Sequence, residues 1–332
     1  MVSGSIKNED SLKIKPTEDG LQLGNSILWF DSTKNGQLTF LSSAERSTGQ
    51  NGPQVIATEE TIRILEANRK KPKALVCQYN RPFTLGKLKM ELLPSGSSLG
   101  GASLHVETNN HKILYAPRLQ TQKISTVRQM QLKKAEKLIL GAYQPDLSLS
   151  LPSRKKEKER LLATVQKLLK NGVYPTIVCQ PSSTAQELTK LLSDNEIPIA
   201  VHPAIHRINK VYESFGSQLG HYSLFSSKHT RKKVKLFPTP ENGRRKFIAD
   251  DKILIIEDFA GESSDKNMDS IISERFTISS ICEGKELKEV IQSVMPKEVY
   301  IYGPYAKRYV TELKKYADVV SPLYPNSQPS LF

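Results

Sequence analysis

Histidine is the side chain best fitted to hold a transition metal or to move a proton near neutral pH. The chain has six: His105, His111, His202, His206, His221 and His229. None forms an H-x-H pair, and none has an aspartate nearby in a ligand-like arrangement. His202 and His206 are four apart, a spacing that shares a helix face, but Pro203 suits the first helical position and leaves His202 outside it. A helix entry is expected there rather than a metal site. His105 alternates within a strand pattern and is expected on a sheet surface. The turn P-S-G-S-S-L-G-G (Pro94 to Gly101) is neither G-x-G-x-x-G nor a P-loop, because it lacks the G-K-[ST] ending. Ser97 and Ser98 within it have no adjacent histidine to act as base. Cys77, Cys179 and Cys282 are far apart and in no C-x-x-C spacing, which reads as three reduced, buried thiols.

What the side chains offer instead is positive charge. Lys and Arg number 48 against 34 Asp and Glu, a net charge of +14, and such a field attracts polyanions, nucleic acid first. Three basic clusters stand out. Arg69-Lys70-Lys71-Pro72-Lys73 is one. Arg154-Lys155-Lys156-Glu157-Lys158 is the second, and its glutamate and helix-starting position read as a solvated face. The third, Arg231, Lys232, Lys233 and Lys235 with Arg244, Arg245 and Lys246 nearby, has little compensating acid and is the best candidate for phosphate contacts.

The elements that would position these groups fall into two styles. Up to about residue 150 the chain is β-rich. "GLQLGNSILWFDS" and "GQLTFLSSA" are short apolar strands between Gly, Asn and Asp turns. "PQVIATEETIRILEANRKK" passes from strand to helix with Thr58 or Thr61 as cap, and a hairpin turning at Asn109-Asn110 precedes "KILYAPRL". Beyond residue 150 helices and strands alternate. "SRKKEKERLLATVQKLLKNG" places Leu161, Val165, Leu168 and Leu169 on one face and stops at Asn171-Gly172. "YPTIVCQ" and "IPIAVH" are buried-type strands, and Ser183 with Gln186, or Thr184 with Glu187, fits a capping box. That alternation predicts a parallel sheet. "SSKHTRKKVKLFPTPENGRRKF" reads as a loop or strand edge. No apolar run approaches the roughly 20 residues that cross a bilayer, and the first residues lack the apolar core of a signal peptide, so a cytoplasmic chain without membrane contact is expected.

Taken together these pieces resemble the metallo-β-lactamase/β-CASP nucleases, in particular the bacterial ligase-associated or mRNA 3′-end-processing-like exonucleases, over nearly the whole chain. In that family a strand like "LTFLSSA" leads into S-H-A-H-x-D-H. A turn like "LLPSGSSLGGA" is P-A-G-H-x-L-G-S-A, and a strand like "KILYAPRL" ends in Y-T-G-D-F. The resemblance implies an α/β fold: an αββα metallo-β-lactamase-like sandwich (residues 1–150 and 262–332) with an inserted β-CASP-like parallel α/β domain (151–261), the chain returning through "RFTISS".

The ligand types expected of that family are replaced. The histidines of the first motif fall on Ser43, Glu45 and Thr48, and its aspartate on Ser47. The turn histidine falls on Ser97 and the metal-bridging aspartate on Arg118. A later acidic position falls on Gly141, and the histidines of S-D-H and T-H-G fall on Ile281 and Tyr302. Two zinc ions need several imidazoles and carboxylates in a tight shell, so no metal and no cofactor is expected. Glu45 and Arg118 should instead approach within about 6 Å and pair, directly or through water. The resulting expectation is a pseudonuclease that binds single-stranded RNA or DNA or holds a protein partner such as an active nuclease or ligase. A pure interaction scaffold and a hydrolase with a rearranged metal site on Glu45 are the alternatives.

Overall fold

The computed structural model describes residues 13–33, 37–46, 54–108, 111–145, 147, 152–227, 230–239, 252–258, 272–282 and 284–324. It is a mixed α/β structure with three sheets and six helices among these residues. The first sheet runs β1 (Ile14–Thr17), β2 (Gly20–Leu23), β3 (Leu28–Phe30), β4 (Leu38–Phe40), β5 (Gln54–Ala57) and β6 (Ala74–Val76), in sequential order. Its strands are antiparallel up to β3 and parallel from there on. Helix α1 (Glu59–Ala67) lies between β5 and β6, and Thr58 is its cap, accepting from the Thr61 N–H. The second sheet takes β7 (Phe83–Leu85), β8 (Leu88–Pro94), β9 (Ala102–Glu107), β10 (Lys112–Ala116) and β11 (Lys137–Gly141). Antiparallel pairing up to β10 gives way to parallel pairing at β11. The Asn109-Asn110 turn lies outside the described residues.

Helix α2 (Arg154–Lys170) then opens the third sheet, whose order is β14-β13-β15-β12-β16-β17. Its strands are β12 (Thr176–Cys179), β13 (Ile199–Val201), β14 (Ser223–Leu224), β15 (Val234–Pro238), β16 (Ile253–Glu257) and β17 (Ile272–Thr277), with α3 (Thr184–Asp194) and α4 (Pro203–Ser214) between them. Every pairing in it is parallel, as helix–strand alternation requires. Helix α5 (Gly284–Val294), β18 (Glu298–Tyr302), α6 (Ala306–Leu313) and β19 (Val319–Leu323) follow; β18 rejoins the second sheet beside β11, and β19 pairs with β18 at its edge.

Apolar alternation decides the layers. Leu21, Leu23, Phe30, Phe40 and Ile56 of the first sheet meet Met90, Leu92, Leu104, Val106, Ile113 and Tyr115 of the second in one buried core, so the two sheets pack face to face. Helix α1 covers the outer face of the first sheet through Ile62 and Leu65. Helices α5 and α6 cover the outer face of the second through Leu287, Ile291, Tyr309 and Leu313. Against the third sheet pack Leu161 and Val165 of α2 and Leu188 and Leu192 of α3, the face read from the sequence for α2.

Several expectations change. The basic stretch before residue 239 contains β15, which is not an edge but sits between β13 and β12, because Val234 and Leu236 are buried apolar residues at strand spacing. Strand β17 pairs with β16 in the third sheet, and the chain leaves that sheet after Thr277. Neither capping box forms. Ser183 has φ 68° and no side-chain cap bond; its hydroxyl donates to Ser97 O at 2.6 Å, and Gln186 turns to Asn209 at 2.9 Å. Arg154, expected on a solvated face, is buried and paired with Glu187, which also takes Lys158 at 3.0 Å. His105 is buried too, its Nε2 3.3 Å from Lys134 O, because the coil after β10 folds over the sheet. The three cysteines are free and buried, as expected.

One side chain fastens the third layer to the turn between β8 and β9. The buried Tyr212 hydroxyl accepts two backbone N–H groups, from Leu99 at 3.1 Å and Ser183 at 3.2 Å. Tyr212→Phe keeps the ring and strands both donors. It should lower stability by about 1–3 kcal/mol in urea titrations with an unchanged m-value.

Candidate functional site

The C-terminal ends of the parallel strands in both stacked sheets open on the same place, where ligands of α/β sheets are usually met. From the first sheet come Asp31 after β3, and Ser42, Ser43 and a single 3-10 turn (Ala44–Arg46) after β4. From the second come the Pro94–Gly101 turn, Arg118 after β10, Tyr143 after β11 and Tyr302 at the end of β18. The third sheet adds Asp258, just past β16, and the 278–282 segment after β17.

Arg118 is the hub. Its Nη2 lies 3.3 Å from Glu45 Oε2 and 3.9 Å from Asp258 Oδ2, and it donates to Ser280 Oγ at 3.2 Å. Asp258 Oδ1 accepts the Ser280 N–H at 2.7 Å, closing the ring of contacts. The expected Glu45–Arg118 pair is therefore direct. The Arg118 side chain is 17% exposed and its partners 30% and 12%, so water screens the group only partly. Two guanidiniums come near the Tyr143 ring. Arg118 Cζ is 5.6 Å and Arg46 Cζ 4.8 Å from its ring centre, within cation–π range, and Arg46 also donates to the Tyr143 hydroxyl.

Beneath this lies a buried acid. Asp31 has φ 46° and accepts from the Ser42 N–H and the Ser42 hydroxyl, both at 2.7 Å, and from the Tyr115 hydroxyl at 2.8 Å. Burial pushes its carboxyl above the ordinary value of 3.8, against the opposing pull of Arg46 and those donors. Burial likewise raises the phenols of Tyr115 and Tyr302, with the Asp31 charge adding to both.

The hydroxyl positions are occupied by local structure. Ser97 Oγ is 2.9 Å from Ser95 Oγ, and Gly100 O accepts the hydroxyls of Thr58 and Thr61, each at 2.9 Å, which ties the turn to α1. Ser43 Oγ is buried and finds no partner among the described residues. Ile281 is buried. A Cβ at Gly141 would stand 2.0 Å from Pro117 O, so no side chain fits there on this backbone. A gap of about 10 Å³ remains beside Gly141, Tyr143 and Ile281, one water's worth. Ser47 and Thr48 lie outside the described residues. Among those described, no three His, Cys, Asp or Glu side chains gather so as to hold an ion.

The third basic cluster lies elsewhere. Arg231 and Lys232 are exposed in the turn before β15, whereas Asp258 follows the C-terminal end of β16. Both strands are parallel to β12, so the turn and the Arg118 site are at opposite ends of the sheet, a five-residue strand or about 16 Å apart. Lys233 is half-buried and donates to Ser223 Oγ at 2.9 Å. Lys235, expected to meet phosphate, is buried within the sheet, 7% exposed, because β15 is central. Arg244, Arg245 and Lys246 lie outside the described residues.

Asp31, Arg46, Tyr143, Asp258 and Ser280 were not picked from the sequence. Asp31 and Asp258 did carry a signal: each follows an apolar run, "ILWF" and "ILIIE", where a parallel strand delivers polar groups.

Two measurements probe this geometry. Gly141→Ala should destabilise by about 1–3 kcal/mol, as overpacking does, read by thermal unfolding. A raised folded-state pKa means that Asp31's contribution is greatest below its unfolded value and is lost as pH rises through the folded one. The stability deficit of Asp31→Asn against wild type should therefore be larger at about pH 4 than at about pH 7.

No family model matches the chain. It is 20% identical over 235 residues to a protein named "Probable DNA ligase" from Opitutus terrae, an alignment taking in 69% of this chain. The chain spans about a quarter of the length of that curated relative, 23%. Among solved structures it is similar to a protein of unknown function from Enterococcus faecalis V583, with a TM-score of 0.61 and 14% identity, over 87% of this chain and 79% of the other. At that identity the likeness speaks for the fold alone.

Proposed function

We propose that this chain is a catalytically inactive relative of the metallo-β-lactamase/β-CASP nucleases that binds nucleic acid or holds a nucleic-acid-processing partner. The observation that carries this reading is Arg118, which ties Glu45, Asp258 and Ser280 together at 3.2–3.9 Å. The resemblance would put a metal-bridging carboxylate at that position. A fixed guanidinium held by two carboxylates repels a dication and uses up the anionic ligands it would need. Around it Ser43 and Ser97 are neutral hydroxyls, Gly141 admits no side chain and Ile281 is apolar. These residues do not fit a pair of zinc ions.

Nucleic acid is favoured as the ligand by the net charge of +14. The partial likeness to a protein named a DNA ligase favours DNA, and a ligase as the enzyme alongside which this chain works. Among the described residues no helix is long and apolar enough to cross a membrane.

Metal analysis of the purified protein together with single-stranded oligonucleotide binding tests the proposal. The expected result is substoichiometric zinc and an affinity that falls by about 0.7 logarithmic units per contacted phosphate for each tenfold rise in salt. Arg231→Gln with Lys232→Gln should reduce that slope. Stoichiometric zinc with chelator-sensitive cleavage abolished by Glu45→Ala would instead make it an active hydrolase. No salt-sensitive binding would leave a protein scaffold.

A further inference from the structure

A cavity of about 380 Å³, lined by none of the Arg118 cluster, opens where the start of α1, the turn between β8 and β9, the coil after β10, α3 and the residues following α4 meet. Glu60, Thr126, Arg128, Lys190, Phe215 and Ser217 are among its lining residues. Its size is at the lower end for small-molecule sites, about 300–1,000 Å³. The coil is unusual in composition. From Leu119 to Ala135 it has Lys123, Arg128, Lys133 and Lys134 and no carboxylate.

The cations are placed without being used up. Arg128 lies 5.3 Å from the Tyr79 ring centre and 3.9 Å from Glu60 Oε1. The second distance is too long for a hydrogen bond, so Glu60 and Tyr79 orient the guanidinium while its N–H groups remain available; the side chain is 66% exposed. Lys190 pairs with Asp194 one turn along its own helix at 3.0 Å, a contact open to solvent and weak. A polar link joins two of the walls: the Ser217 hydroxyl donates to Thr126 O at 3.1 Å. Thr126 Oγ1 is buried with no partner among the described residues. A planar guanidinium and an ammonium lining one cavity are the cations that take phosphate, and Phe215 gives the adjoining nucleoside an apolar wall.

We propose that this cavity seats a phosphomonoester, the terminal phosphate of a nucleic-acid strand, with Arg128 and Lys190 as its cations. The proposal rests on the nucleic-acid reading above and is independent of what became of the metal positions.

The test uses single-stranded oligonucleotides that differ only in a terminal phosphate, with fluorescence anisotropy as the readout. Wild type is compared with Arg128→Gln, Lys190→Gln and the distant Arg231→Gln/Lys232→Gln variant, each checked by thermal melt. The phosphorylated strand should bind about tenfold tighter or more, the effect of one charge-assisted contact. That preference should vanish in either cavity variant and persist in the distant one. Equal affinity for both strands, or a preference that survives in both cavity variants, overturns the seat while salt-dependent binding keeps the nucleic-acid reading. A nucleoside monophosphate that binds in calorimetry and is lost in the cavity variants, with no strand binding, keeps the seat and overturns that reading. Binding of neither overturns both.

Discussion

Three sheets contribute to one contact, the guanidinium of Arg118 held between Glu45 and Asp258. Glu45 comes from the first sheet's loops, Arg118 from the second and Asp258 from the third. Partly buried charges are costly unless paired, and removing one member leaves the others stranded. Balance here is local. Arg118 and Arg46 share the Tyr143 ring, Arg118 faces the two carboxylates, and Asp31 lies buried below. Because the group spans three layers, its integrity and the docking of the third sheet are one condition. Tyr212 and Ser183 strengthen the same junction with neutral hydrogen bonds.

Much of the fold was legible because period and punctuation agreed. The all-parallel third sheet follows from alternating strands and helices, and Thr58 and Asn171 stand where the caps were read. What failed was local chemistry overridden by tertiary partners. Ser183 has the residue type of a cap, yet its hydroxyl goes to Ser97 O. Lys235 has the residue type of a phosphate ligand, yet strand alternation carries it inward. His105 looked like a surface residue because nothing local announces that an irregular coil of basic and amide side chains will lie over it.

The candidate site was half legible. The Glu45–Arg118 pair follows from placing both positions around one centre, as the family resemblance does. Asp258 and Ser280 come from 140 or more residues further along the chain, so no spacing rule connects them to Arg118. The cavity by Arg128 is of the same kind: its walls become neighbours only when α4 reaches α1.

Gly141 ties the junction to the backbone beneath it. The Pro117 carbonyl occupies the space that any side chain at 141 would need, and the next residue along is Arg118 itself. A carboxylate at 141 would require the peptide bearing Arg118 to move first, and moving it breaks the pairs with Glu45 and Asp258. Single substitutions leading from this chain toward an acid-lined pocket each pass through a less stable intermediate. The closed backbone at position 141 and the Arg118 pairs are one constraint: neither yields without the other.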